Sequence, residues 1–171
     1  MRFTFLKRAN RLTSENAGVL SETRALASHF ELGRRGETLA IEHLERAGYR
    51  VVAANFTVPI GRNIRDVIVN AEIDVVAYDG PTLCFVEVKT RASDEYAQPQ
   101  INVDLRKRRQ IVRAARAYLT MFGLTGAAHR YDVLTVVLPS SREDEPRVEL
   151  LKNFWSEEKF RKRNWHDARW D

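Results

Sequence analysis

The chain has 171 residues, of which 44% are hydrophobic, so it is long enough to bury a core without disulfides or a structural metal. No apolar run approaches the roughly 20 residues of a membrane-spanning helix, and the N-terminal residues are too interrupted for a signal peptide, so we expect a cytoplasmic protein without membrane contact. A formal net charge of +5 is compatible with a polyanionic partner, whereas one cysteine and four scattered histidines argue against a zinc site.

The first predicted helix covers residues 27–47, with Gly48 as its stop signal. Its apolar side consists of Leu32, Leu39, Ala40, Leu44 and Ala47. Glu37 borders this side, where a surface ion pair and a place in a functional site are both open interpretations. Gly33 and Gly36 each cost a helix about 1 kcal/mol relative to alanine, which predicts a close approach of another backbone.

A strand is predicted from Val51 to Val58, followed by a loop from Pro59 to Asp66. Arg62 and Arg65 of this loop either contact nucleic acid or remain in solvent.

A β-hairpin is predicted next, with acids on its inner strands. The turn sequence from Asp79 to Thr82 predicts a four-residue loop with Tyr78 opposite Leu83, and counting outward places Asp74 opposite Glu87. Lys89 then shares a face with Glu87, because side chains alternate along a strand. Cys84 points to the other face, where we expect a buried, reduced thiol.

The opposed acids of this hairpin require an explanation, because two carboxylates with Cβ atoms about 5 Å apart repel each other. A divalent cation removes this conflict, since Mg²⁺ is held by one or two carboxylates and keeps positions for water and phosphate oxygens. Lys89 can help to activate a water molecule and offset charge on a phosphate. The hairpin therefore predicts a Mg²⁺ or Mn²⁺ site at Asp74 and Glu87.

A polar segment from Thr90 to Val103 is predicted to be a flexible loop over this site, with Thr90 and Arg91 placed to contact phosphate. The second helix begins after the N-cap Asp104 and ends near Phe122, before Gly123. Its apolar stripe consists of Ile111, Val112, Ala115, Tyr118 and Leu119. A second stripe on the same helix is basic and consists of Arg106, Arg109, Arg113 and Arg116. The arginines either follow a phosphate backbone or form an ordinary solvated face, and Lys107 between the stripes is interpreted as a phosphate contact.

Two more strands are predicted, from Tyr131 to Leu138 and from Arg147 to Leu151. Asp132 is expected to be an ion-pair partner or backbone acceptor first, and a site residue second. A helix, strands, a second helix and further strands indicate an α/β fold in which helices flank a mixed sheet.

The hairpin resembles the PD-(D/E)XK nucleases, because Glu87-Val88-Lys89 matches the (D/E)XK half of their motif and Asp74 matches the acid before it. The flanking motifs fall in the order seen in the YraN family, a bacterial group of small nuclease-like proteins similar to archaeal Holliday junction resolvases. These motifs include Gly33-Arg34-Arg35-Gly36-Glu37, Asn55-Phe56, Glu72-Ile73-Asp74 and Arg130-Tyr131-Asp132.

This resemblance covers roughly residues 30–154 and implies a restriction-endonuclease-like core. It also implies that Glu37 joins Asp74 and Glu87 at the metal, and by analogy with junction-cutting relatives it implies a homodimer. Two departures stand out. Ala71 replaces a glycine of the family, and the segment 57–70 is longer than its counterpart there.

The chain thus divides into an N-terminal extension (1–26), a nuclease-like domain (27–154) and a basic, aromatic tail (155–171). The tail either binds nucleic acid or packs on the protein. The leading functional hypothesis is a Mg²⁺-dependent endonuclease for DNA rather than RNA, acting on branched or flapped structures. The alternatives are a nucleic-acid-binding protein with a relic nuclease site, and a structural protein in which Glu87, Lys89 and Glu37 form a buried ion-pair cluster.

Overall fold

The computed structural model describes residues 27, 29–92, 103–139 and 144–157. The predicted N-terminal extension, most of the predicted loop before the second helix and residues 158–171 of the tail lie outside these ranges. None of the helices in the described ranges is long and apolar enough to cross a membrane.

Two helices form where the sequence predicts them. Helix α1 includes residues 29–46 and is followed by Gly48, whose φ of +87° suits a residue without a side chain. Helix α2 spans Leu105–Met121, and its N-cap Asp104 accepts a hydrogen bond of 2.8 Å from the backbone N–H of Lys107. The apolar stripe predicted for α2 is buried. On α1 the prediction is wrong for Ala47, which is exposed because it follows the last helical turn.

Five strands form one mixed sheet in the order β1-β2-β3-β4-β5. They are β1 (Arg50–Arg62), β2 (Ile68–Asp79), β3 (Thr82–Ala92), β4 (His129–Leu138) and β5 (Arg147–Trp155). All neighbours are antiparallel except β3 and β4, which are parallel and lie on either side of α2 in the chain. The architecture is the predicted α/β fold, a mixed sheet flanked by helices, and it is consistent with a restriction-endonuclease-like core.

Each face of the sheet has its own apolar core. On one face, Ala40 and Leu44 of α1 pack on Val75, Val86 and Leu134. The other face is covered by α2, whose Ile111, Val112 and Tyr118 belong to a cluster with Phe85, Tyr131 and Trp155. Cys84 is buried on the α1 face as predicted, and burial raises the pKa of its thiol to about 11. Trp155, the first residue of the predicted tail, is also buried, and it stacks on Tyr131 at 5.3 Å between ring centroids.

The predicted register of the β2–β3 hairpin is confirmed near its turn, where Tyr78 pairs with Leu83 and Val76 with Phe85. Asp79 and Thr82 also pair, so the loop has two residues rather than four, and Gly80 takes a φ of +57°. Strand β1 runs to Arg62, beyond the predicted Val58, because two register shifts let it continue to pair with β2.

A charged cluster holds the turn end of this hairpin. Asp132 is 0% exposed, and the Nε–H of Arg130 donates to both of its oxygens, which lie at 3.0 and 2.9 Å. Asp132 also accepts a hydrogen bond from the backbone N–H of Asn153 at 2.7 Å. The same guanidinium donates through Nη2 to Asp79 at 2.7 Å, and Lys152 lies 2.9 Å from that carboxylate. We call these residues, with Tyr49 whose hydroxyl accepts from Arg130, the turn-end cluster. The structural role predicted for Asp132 is confirmed.

Candidate active site

The sheet opens between β2 and β3 at the end opposite their turn. Their pairing ends at Val75 and Val86, yet β2 continues along β1 to Ile68 and β3 continues along β4 to Ala92. The diverging segments, 68–74 of β2 and 87–92 of β3, leave an opening that we call the notch. Side chains at its edges do not have a paired neighbour on the other strand of the hairpin.

Asp74 lies at the point where the strands part. Its Oδ2 accepts a hydrogen bond of 2.7 Å from the backbone N–H of Val88. The carboxylate thus takes the place of a backbone carbonyl that would pair with β3 in a continuous sheet. The strand also changes faces there, because Ile73 packs in the core under α2 whereas Val75 packs in the core under α1. On the neighbouring strand β1, Phe56 pairs with Ile73 and Ala54 pairs with Val75. Asn55 lies between these two residues, across from Asp74, and has a φ of +52°. The change of faces in β2 and the left-handed residue of β1 therefore both lie at the predicted catalytic acid.

Glu87 is 2% exposed and faces two ammonium groups. Lys89 Nζ lies 2.8 Å from Oε1, and Lys107 Nζ lies 3.1 Å from Oε2. The contact to Oε2 does not have hydrogen-bond geometry, so this oxygen is buried without a hydrogen-bond partner among the described residues. We call Asp74, Glu87, Lys89 and Lys107 the notch cluster.

The charges of the notch cluster are strongly coupled. Burial, and then the negative charge of Glu87, raise the pKa of Asp74 to about 7, although Lys107 and Lys89 act in the opposite direction. Burial lowers the pKa of Lys107, but the charges of Glu87 and Asp74 outweigh burial, so that pKa is raised overall. Two carboxylates are thus held close together in a poorly hydrated place, which is typical of functional sites.

A divalent cation fits this pair of acids. The carboxylate of Asp74 is destabilised in its charged form beside Glu87, and Oε2 of Glu87 has an ion pair with Lys107 at 3.1 Å but no hydrogen bond among the described residues. A cation between the two acids would offset their repulsion. Two carboxylates are also the usual protein share of a Mg²⁺ site. Within the described ranges, however, no three acidic, histidine or cysteine side chains form a group that could hold a metal.

Glu37, predicted as the third acid, lines a cleft of about 650 Å³ between α1 and the sheet. The cleft is lined by His29, Phe30, Gly33, Arg34, Glu37, Thr38, Ile41, Asn55 and Glu72. Helix α1 crosses β3 beside this cleft, because a Cβ added to Gly36 would lie 1.8 Å from Thr90 Oγ1. Gly36 therefore makes a close approach as predicted, but to the side chain of Thr90 rather than to a backbone. The prediction for Gly33 is wrong, since none of the described residues lies within 4 Å of a Cβ there. Glu37 is not gathered with Asp74 and Glu87 into one group, and its place at a metal stays a prediction.

The predicted nucleic-acid contacts lie in three environments. Thr90 packs on Gly36 and Arg91 is half-buried at the end of β3. Arg106 and Arg109 are exposed on α2, whereas Arg113 Nη2 donates to the carbonyl oxygen of Ile60. The guanidinium of Arg113 therefore ties α2 to β1 and is less available for phosphate.

Three contacts of the structure were not predicted from the sequence. Lys107 was interpreted as a phosphate contact but pairs with Glu87. Arg116 donates to Glu157 at 2.7 Å instead of extending the arginine stripe, and Glu157 also accepts from Tyr131. These partners are distant in the chain, so no local pattern could have identified them.

Comparisons with known proteins bear on the same segment. A family model described as "Uncharacterised protein family UPF0102" matches residues 36–136. A UPF0102 protein of Geobacter sulfurreducens is 43% identical over 122 residues, which cover 71% of this chain and 86% of that protein. Relatives from Chlorobium limicola (38% over 123 residues, 72% and 88% covered) and Chlorobium chlorochromatii (39% over 135 residues, 77% and 96% covered) carry the same description.

Proposed function

The chain belongs to the uncharacterised protein family UPF0102, the YraN family that its motifs resemble, and from this premise we propose that it is a Mg²⁺- or Mn²⁺-dependent nuclease that hydrolyses phosphodiester bonds in DNA. The observation that carries the proposal is the notch cluster, in which Lys89 lies 2.8 Å from a buried Glu87 beside an acid with a raised pKa. A cytoplasmic location and a homodimer belong to the same proposal.

Each residue of the notch cluster has a separate task in this proposal. Asp74 and Glu87 hold the cation, which supplies Lewis-acid stabilisation of charge on the phosphate. Lys89 is more exposed than Glu87, so its ammonium group can reach a phosphate oxygen or orient a water molecule while Glu87 holds it in place. The hydrogen bond from Val88 fixes the carboxylate of Asp74. This side chain therefore loses less conformational entropy when the site binds its ligands.

The surface around the notch supplies phosphate contacts. Arg91 follows Lys89 on the catalytic strand, Thr90 lies between them, and Arg106 and Arg109 are exposed on the first turns of α2. Lys107 lies at the start of the same helix and keeps positive charge beside the acids. We propose that Arg91, Arg106 and Arg109 bind the phosphate backbone, with smaller contributions from Thr90, Lys107 and Arg113.

A second candidate function follows from Lys107. Two lysines balance the two carboxylates of the notch cluster without any cation, which favours a nucleic-acid-binding protein whose nuclease site is a relic. That protein would bind DNA in a salt-dependent way after Asp74→Ala, because removal of an acid does not weaken phosphate contacts.

The first test is cleavage by the purified full chain. Labelled flap, four-way junction, duplex and single-stranded DNAs, with RNA counterparts, are incubated with Mg²⁺ or Mn²⁺. We expect cleavage of at least one DNA structure, and a loss of about 10²- to 10⁴-fold in Asp74→Asn and in Lys89→Ala. Lys152→Ala is the matched control, because Lys152 also pairs with an acid but belongs to the turn-end cluster.

Metal binding provides a measurement independent of substrate. In titration calorimetry, Mn²⁺ should bind the wild type and not Glu87→Gln, which keeps the shape of the side chain and removes its charge. Full cleavage by Asp74→Asn would exclude the notch cluster as the active site, and no cleavage of any DNA by the wild type would exclude the nuclease proposal. Absence of metal binding, with DNA binding retained, would favour the relic site.

A further inference from the structure

The cleft between α1 and the sheet presents two carboxylates. Glu37 and Glu72 line it together with Arg34 and His29. Carboxylates repel phosphates but accept hydrogen bonds from the exocyclic amino groups of nucleobases. With a volume of about 650 Å³, the cleft is within the ~300–1,000 Å³ range of small-ligand sites.

Gly33 enlarges this cleft at a cost to the helix. A glycine inside a helix destabilises it by roughly 1 kcal/mol relative to alanine. The contact with Thr90 explains Gly36, because it leaves no room for a side chain, but a Cβ at Gly33 would have none of the described residues within 4 Å. Packing among the described residues therefore does not require Gly33, and its visible effect is to keep the wall of the cleft open.

Phe30 offers an aromatic surface on the same wall. It is 69% exposed, the highest exposure among the large aromatic residues of the described ranges. An aromatic ring beside a polar cleft is the usual platform for an unstacked base, because every base has a π face.

Asn55 adds a group that can read a base edge. Its backbone has a φ of +52°, in the left-handed region that asparagine enters more readily than most residues with a side chain, and the residue lines the cleft. An amide can donate and accept at once, which suits the hydrogen-bonding edge of a base.

The cleft lies beside the notch cluster. Glu72 is two residues before Asp74 on β2, and Asn55 is the β1 residue across from Asp74. Glu37 follows Gly36, which touches Thr90 of β3, the residue after Lys89. The cleft and the cluster therefore both have residues on the segments that flank the notch, and they lie on opposite faces of the sheet.

We infer that the cleft binds an unpaired nucleobase next to the phosphodiester bond that is cut, with Phe30 as the stacking platform and Glu37, Glu72 and Asn55 at the base edge. This inference rests on the proposed nuclease function and specifies its substrate class. A base in a duplex must be unpaired at a cost before it can enter, whereas a flap or branch supplies one without that cost.

The test measures binding without cleavage. The full chain is titrated in EDTA with two DNAs of the same sequence, a fully paired duplex and a flap with 2-aminopurine as the unpaired base at the branch. We expect the wild type to prefer the flap by roughly 5- to 150-fold, the range that stacking on one aromatic ring provides. Stacking on Phe30 should also quench the 2-aminopurine fluorescence.

Two changes should reduce flap affinity to that of the duplex. Phe30→Ala removes the platform, and Gly33→Leu fills the cleft without meeting another atom at its Cβ. Phe30→Trp and Gly33→Ala should keep the preference, because one retains the ring and the other leaves most of the cleft open. Phe122→Ala, at an aromatic residue 54% exposed at the end of α2, is the control for surface aromaticity and should also keep it.

Equal affinity of the wild type for the two DNAs would overturn the inference, and so would an unchanged preference in Phe30→Ala and Gly33→Leu. Neither result depends on catalysis, because EDTA removes the cation. Failure of the nuclease proposal would appear instead as no cleavage of any DNA structure by the wild type with Mg²⁺ or Mn²⁺, and the two failures are therefore distinguishable.

Discussion

The β2–β3 hairpin carries a charged cluster at each end, and the two differ in how completely their charges are satisfied. In the turn-end cluster, Asp132 accepts hydrogen bonds from Arg130 and from the backbone of Asn153, and Asp79 lies against two cations. In the notch cluster, Glu87 also faces two cations, but its Oε2 lacks a hydrogen bond among the described residues and Asp74 has a neighbouring acid. Arginine satisfies the first group because its planar fork reaches several acceptors at once.

Their pKa values change in opposite directions. Hydrogen bonds from Arg130 and Lys152 lower the pKa of Asp79 to about 2, whereas burial and Glu87 raise that of Asp74 to about 7. The turn-end cluster therefore stabilises the fold, and the notch cluster has the electrostatic strain expected of a site that awaits a ligand.

Among substitutions that test the difference between the two clusters, Arg130→Met is expected to change the free energy of unfolding the most. The substitution leaves Asp132, which is 0% exposed, without its cation, and removal of one partner from a buried ion pair costs about 3–5 kcal/mol. Urea unfolding measures the free energy of unfolding, with the exposed Arg109→Met as a control near zero. A loss of unfolding free energy no larger than that of the control would show that the turn-end cluster does not stabilise the fold.

A smaller effect, of opposite sign, is expected from Asp74→Asn. The amide still accepts the hydrogen bond from Val88 but carries no charge beside Glu87, so the free energy of unfolding should rise by about 1–2 kcal/mol in metal-free buffer at pH 8. Thermal and urea unfolding check the sign. A destabilised Asp74→Asn would show that this acid contributes to the fold, as Asp132 does.

The smallest effect is expected from Asp79→Asn, and it should depend on pH. Since the folded-state pKa of about 2 lies below the ordinary 3.8, the stabilisation by ionised Asp79 is present above pH 4 and is lost as pH falls toward 2. Asp79 is partly exposed, so the difference from wild type should stay below about 1 kcal/mol. Urea unfolding from pH 6 to pH 2 should show this difference shrinking. A difference that grows on acidification would contradict the assigned ion pairs.

Sequence patterns predicted the parts of this site that depend on local periodicity. The turn fixed the register of Val76 with Phe85, and helical spacing gave the buried stripe of α2. The change of faces at Asp74 could not be predicted, because it depends on where β2 leaves β3. Pairing of Lys107 with Glu87 brings together two elements that are separate in the sequence, and the different reasons for Gly33 and Gly36 became visible only once α1 was placed on β3.

Burial of Cys84 has a practical consequence for solution experiments. It is the chain's one cysteine, and its inaccessible thiol with a pKa of about 11 should not react with maleimide dyes at neutral pH. A cysteine introduced at the fully exposed Ile64, near the tip of the β1–β2 hairpin, would then carry a single fluorophore. A single label can thus be used to follow the binding of nucleic acid in real time, without removal of the native cysteine.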